Sequence, residues 1–217
     1  MFSRRESFKQ YIQFYPITSI LIAINVAVFL VMLLTGTSFS NETLYDFGAM
    51  FDLPGMQPEW WRNFTAMFLH AGFGHLFFNM FTIVIFAPPL EIMLGKVRYL
   101  LLYLISGVAG NLVSAWMHKL QSEYYIGVGA SGAIYGLYAA FLFLAVFRKD
   151  IMDQATRQTI LIIIVAGFVS SVITPRVDIY AHLGGFIGGF GSLALIVLSI
   201  KRRVRRRQEQ MPPTNEY

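Results

Sequence analysis

Residues 129–147 read GASGAIYGLYAAFLFLAVF, with Ser131 third in the stretch. From Ser131 to Phe147 the only ionisable side chains are Tyr135 and Tyr138. Such a run suits the interior of a bilayer, where the backbone must be helical, and the helix has to begin near Ser131. The first amides of a helix lack intrahelical partners, and together with the positive end of the helix dipole they suit an oxyanion. Ser131, a lone hydroxyl among small residues, is therefore a candidate nucleophile. A serine here could equally be an N-cap or a small packing residue, and the rest of the chain decides between these readings.

A chain with 56% hydrophobic and only 13% charged residues is not a soluble globule. Its apolar residues gather in six runs, at 17–34, 72–94, 98–116, 131–147, 159–174 and 180–200. About 20 residues rising about 1.5 Å each cross the roughly 30 Å hydrocarbon layer, so the fold expected is an all-α polytopic membrane bundle of six transmembrane helices. The first run exceeds a signal-peptide core, has no small-residue cleavage site after it, and is expected to stay as an anchor. Pro175 ends the fifth run. The absence of cysteine excludes disulfides, thiolate metal sites and a thiol nucleophile. The net charge of +5 does not signal nucleic acid, because the basic residues flank apolar runs and no nucleic-acid motif accompanies them.

Topology explains the charge better. The N-terminus (Arg4, Arg5, Lys9), the turns after the second and fourth runs (Lys96, Arg98, Arg148, Lys149, Arg157) and the C-terminal tail hold 14 of the 17 Lys and Arg. Arg62, Lys119 and Arg176 are the exceptions. By the positive-inside rule both termini are cytoplasmic. This divides the chain into a cytoplasmic segment 1–16, a membrane domain 17–200 and a basic, disordered cytoplasmic tail 201–217. The connection 35–69 is long enough to have a task, and Phe51, Trp60, Trp61, Phe64 and Phe68 suit the headgroup zone.

The second, fourth and sixth runs then all enter from the outer face, and each carries unusual polar residues in its first turns. His75 and Asn79 open the second, Ser131 the fourth and His182 the sixth. Polar groups inside a membrane cost a few kcal/mol if unpaired, so these are expected to meet around a cavity open to the outside. His75 and Asn79, four apart, share a helix face, as do Ser131 and Tyr135. Gly132 with Gly136, and Gly185 with Gly189, make small-residue pairs that let backbones approach closely enough for His182 to act as base for Ser131. Asp178 reads as a solvated loop charge and Glu91 lies at the opposite face, so a dyad is expected and not a triad.

As a set, Trp61-Arg62, His70-x4-His75-x3-Asn79, Gly129-Ala130-Ser131-Gly132 and Ala181-His182-x2-Gly185-x3-Gly189 resemble the rhomboid intramembrane serine proteases over nearly the whole chain. The resemblance implies a rhomboid-like bundle in which Ser131 is nucleophile and His182 general base and acid. It further implies an oxyanion hole of His75, Asn79 and the Ser131 backbone N–H, with Tyr135 packed on the His182 ring. His70, Trp61 and Arg62 would hold the first loop. The implied enzyme sits in a bacterial-type cell membrane and cuts single-span membrane proteins near the outer interface, using no cofactor, metal or ATP and binding no nucleic acid.

Two other classes compete. A non-catalytic binder could use the same bundle to hold single-span clients, and a small-solute transporter would show broken helices and an inverted repeat, which is not seen. The positioned serine favours the protease. Metalloprotease chemistry is disfavoured because there is no H-E-x-x-H and because His70 and His75, five apart, lie off a common helix face.

Overall fold

The computed structural model describes residues 6–35, 40–52, 56 and 58–210. In order these form α1 (Phe8–Phe14), α2 (Pro16–Thr35), α3 (Asn41–Asp46), β1 (Met50–Asp52), α4 (Arg62–Thr65) with a 3-10 turn Ala66–Phe68, α5 (Phe73–Leu94), α6 (Lys96–Gln121), β2 (Tyr125–Gly127), α7 (Ser131–Phe147), α8 (Gln154–Ile173) and α9 (Ile179–Glu209). Five of them, α2, α5, α6, α8 and α9, are long and apolar enough to cross a membrane, and α7 is a shorter apolar helix. The architecture is an all-α membrane bundle.

The bundle is arranged around α7. Most of its length is buried, from Gly132 through Ala145, against α5, α6 and α9. Leu137 and Phe141 of α7 join Ile83 and Leu90 of α5 and Leu102 and Tyr103 of α6 in the main core. At 17 residues α7 is about 25 Å long, less than the roughly 30 Å hydrocarbon layer.

The N-terminal end of α2 is capped from another helix. Pro16 occupies the first position, where a missing N–H costs nothing. The Ile17 and Thr18 amides donate to the Glu91 carboxylate, each at 2.9 Å, and the Thr18 hydroxyl donates at 2.7 Å. Glu91 is buried, so its charge is compensated by these donors and the α2 dipole. Glu91→Ala should destabilise the protein by about 2–4 kcal/mol, since it orphans buried donors, and Glu91→Gln by about half as much. Reversible unfolding in mixed micelles checks this; an alanine variant within about 0.5 kcal/mol of the wild type would refute the cap.

The described residues of the long first connection are tied down. β1 pairs antiparallel with β2, with Met50 opposite Gly127 and Asp52 opposite Tyr125. The Gly129 amide donates to the Ala66 carbonyl at 2.8 Å. Both contacts pin the segment that leads into Ser131 against the first loop. Arg62, 4% exposed, donates to the carbonyls of Tyr45 (2.7 Å) and Ala49 (3.1 Å) and pairs with Glu59, its guanidinium lying 4.4 Å from the Tyr45 ring centre and 4.6 Å from that of Trp61.

Three boundaries differ from the sequence reading. α6 runs to Gln121, through residues expected in a loop, and ends at left-handed Ser122. α8 starts at Gln154, where the Asp153 side chain accepts from the Thr156 amide. α9 does not stop at Ile200: residues 201–209, assigned to a disordered tail, are helical. Arg, Lys and Gln are good helix formers and no Gly or Pro interrupts them, so the helix continues where hydropathy ends. Residues 1–5 and 211–217, which belong to the expected terminal segments, lie outside the described residues.

Candidate active site

Ser131 is the first residue of α7, after Ala130 and after Gly129 at φ +124°, a conformation that favours glycine. The first helical hydrogen bond is donated by Ile134 to the Ala130 carbonyl, so the amides of Ser131, Gly132 and Ala133 precede the hydrogen-bonded ladder. Gly129 is also a matter of space. A Cβ there would come within 2.7 Å of Cε1 and Nε2 of His75 and 3.8 Å from Ser131 Oγ, so the His75 ring and the Ser131 hydroxyl flank the same glycine.

His75 opens α5 with Asn79 one turn on. The buried Asn79 amide donates to the His75 carbonyl at 2.8 Å, which fixes the side chain and engages one of its two N–H groups. His70 precedes α5, fully buried, its ring edge-on to His75 with centroids 5.0 Å apart. Burial first, and then the neighbouring His75, push the His70 pKa from 6.5 down to about 3, against a smaller upward pull from the Phe68 backbone. The folded chain thus keeps His70 neutral, whereas an unfolded chain takes up a proton as pH falls through 6.5. Its contribution to stability is complete above pH 6.5 and is lost progressively between there and about pH 3. The slope is about 1.4 kcal/mol per pH unit, or about 2 kcal/mol by roughly pH 5. His70→Asn should flatten the pH dependence of unfolding by that amount; an unchanged slope would contradict it.

His182 lies in the first turn of α9, 6% exposed. Its ring stacks on Tyr135 of α7, with centroids 4.0 Å apart and planes 12° from parallel. Its Nδ1 is 2.7 Å from Ser171 Oγ on α8, and Ser171 Oγ is in turn 2.6 Å from the Tyr135 hydroxyl. Three helices therefore fix one imidazole.

What allows α9 so close to α7 is glycine. A Cβ on Gly185 would sit 2.0 Å from the Gly132 carbonyl oxygen, and one on Gly189 would sit 2.4 Å from the Gly136 Cα. A Cβ on Gly132 would touch the Ala181 oxygen at 3.4 Å. Ser131 and His182 are the chain neighbours of Gly132 and Ala181, so the backbone contact sets their two stretches of chain side by side. No hydrogen bond joins Ser131 to His182 in this structure, and such bonds often tighten only with substrate bound. Gly184 and Gly188 form a second stripe on α9 that meets Ala109 and Val113 of α6, while Gly191 faces open space.

One expectation is corrected. Asp178 is not a solvated loop charge: its carboxylate accepts from the Ala181 amide at 2.9 Å as the N-cap of α9 and also from the Ser114 hydroxyl, with His118 Nε2 at 3.8 Å. A side-chain acceptor at the helix start replaces solvent there. Its side chain is committed to this cap, and the partner of His182 Nδ1 is Ser171. Sequence reasoning missed Ser171; the one available signal was the Ser170-Ser171 doublet inside an apolar run.

The model of the Rhomboid domain matches residues 57–199. The chain is 37% identical over 210 residues to YdcA of Bacillus subtilis (strain 168), covering 95% of this chain and 100% of that protein. It is 33% identical over 181 residues to the rhomboid protease GluP of the same organism, covering 83% of this chain but 35% of GluP. It is 39% identical over 153 residues to RHOMBOID-like protein 1 of Arabidopsis thaliana, covering 70% of this chain and 38% of that longer protein.

Proposed function

The chain belongs to the rhomboid family of intramembrane serine proteases, integral membrane enzymes acting on membrane-protein substrates within the bilayer, and from that premise we propose that Ser131 and His182 form its catalytic dyad. The observation that supports this reading is the glycine contact between the start of α7 and the start of α9, together with the stack of His182 on Tyr135, four residues after Ser131. His182 Nε2 takes the Ser131 proton as Oγ attacks the scissile carbonyl, and returns it to the leaving amine as the acyl-enzyme forms; a water then repeats the sequence. The oxyanion is received by the amide at the start of α7, by the second N–H of Asn79 and by His75. His70, Trp61 and Arg62 act at one remove, by holding the first loop over this site.

The chain crosses a bacterial-type cell membrane six times with both termini cytoplasmic, α7 being the short fourth span. The shortness of α7 supports a recessed Ser131 reached through a cavity open to the outer face. The substrate is a single-span protein cut near the outer interface. α8 contributes only Ile160, Ile164 and Ser171 to the buried interior, so it is the wall that loses least packing as a span approaches.

A peptide bond in a substrate helix is shielded until that segment unwinds. A Gly pair in the outer third of an otherwise all-Leu span lowers the unwinding cost by about 2 kcal/mol, which should raise cleavage by up to about 30-fold. The measurement is cleavage of the two spans in proteoliposomes, with Ser131→Ala as blank. Equal rates for the two would sink this account of substrate choice.

A further inference from the structure

Ser171 Oγ has three polar neighbours at hydrogen-bonding distance: the Gly167 carbonyl oxygen at 2.8 Å, the Tyr135 hydroxyl at 2.6 Å and His182 Nδ1 at 2.7 Å. A hydroxyl has one proton to give and two lone pairs with which to receive. The Gly167 oxygen can only accept. If the Ser171 proton went instead to Tyr135 or to His182, two oxygen atoms 2.8 Å apart would face each other with lone pairs alone in a buried site. The arrangement that satisfies all three contacts has Ser171 donating to Gly167 and accepting from both the Tyr135 O–H and a proton on His182 Nδ1.

An acceptor at one ring nitrogen decides the tautomer of a neutral imidazole. We propose that Ser171 is a positioning residue that holds His182 with its proton on Nδ1 and so leaves Nε2 unprotonated as the base for Ser131. This rests on the dyad reading and adds to it a third group, on a third helix. In soluble triads a buried carboxylate orients the histidine. Here a neutral hydroxyl does so, which avoids placing a second charge at membrane depth, where ionised groups are costly. When Nε2 takes the proton from Ser131, the Nδ1–H bond to Ser171 is already in place and nothing has to reorganise.

The test is nuclear magnetic resonance of the ring nitrogens in protein carrying 15N-histidine, reconstituted in nanodiscs near neutral pH. The chain has four histidines, and a His182→Gln difference spectrum assigns the resonances of interest. The wild type should show His182 protonated at Nδ1. Ser171→Ala should lose this preference and lower kcat by about 10- to 100-fold with KM unchanged, Ser171→Thr should recover most of both, and Tyr135→Phe should keep the tautomer. A wild-type His182 protonated mainly at Nε2 overturns the proposal whether or not the alanine variant folds. So does Ser171→Ala with wild-type kcat while His182→Ala is inactive, an outcome that leaves the dyad standing. Cleavage by His182→Ala at the wild-type rate would instead remove the dyad itself.

Discussion

Ser131→Ala and His182→Ala should each lower cleavage of a membrane-span reporter by at least about 1000-fold, and the double variant should be no worse than either single one, because nucleophile and base act as a unit. Their stabilities should differ. Among the described residues Ser131 Oγ makes no hydrogen bond that the alanine would lose, so Ser131→Ala should unfold like the wild type. His182→Ala gives up the stack on Tyr135 and the bond to Ser171, worth about 1–3 kcal/mol together, and leaves Ser171 with one partner fewer. Labelling by a fluorophosphonate reports the same chemistry without a substrate: it should mark the wild type at Ser131 and fail in both variants. A rate above about a tenth of wild type in either variant, with intact fold, would remove that residue from the reaction.

The membrane helices were legible because a bilayer demands an unbroken apolar run, and α2, α5 and α7 begin and end within a residue or two of where their runs do. The same logic is blind where a helix leaves the hydrocarbon. His118 and Lys119 in α6 and the basic residues 201–209 of α9 are helical for reasons of propensity and continuity, which hydropathy does not register. β1 and β2 are three residues each and pair across much of the chain, with no alternation long enough to read. At the candidate site, Ser131, His75, Asn79 and His182 stand out in the sequence as polar residues at the starts of apolar runs. Ser171 did not, because a serine in a membrane helix usually marks close packing, and its partners lie on two other helices. Asp178 was misjudged for a related reason: sequence shows its distance from His182 along the chain but not that Ser114 and the Ala181 amide would engage it.

Gly185→Ala should separate the effect of backbone proximity from that of the catalytic groups. The added Cβ would lie 2.0 Å from the Gly132 oxygen and 2.6 Å from its carbonyl carbon, contacts that no side-chain rotation relieves because both partners are backbone. α9 must therefore withdraw from α7 by about 1 Å or more, in an interior with little void to absorb it. That displacement acts on His182, less than one turn away, and a shift of this size should cost about 100-fold in kcat. The stability loss should be about 1–3 kcal/mol, far short of unfolding the bundle. Gly189→Ala meets the Gly136 Cα at 2.4 Å, one turn further from His182, so it should cost similar stability but less activity. Gly191→Ala is the control: nothing lies within 4 Å of its Cβ, and as a helical glycine it should gain up to about 1 kcal/mol with unchanged cleavage. If Gly185→Ala cleaves as fast as Gly191→Ala, cleavage does not depend on the close contact between the α7 and α9 backbones.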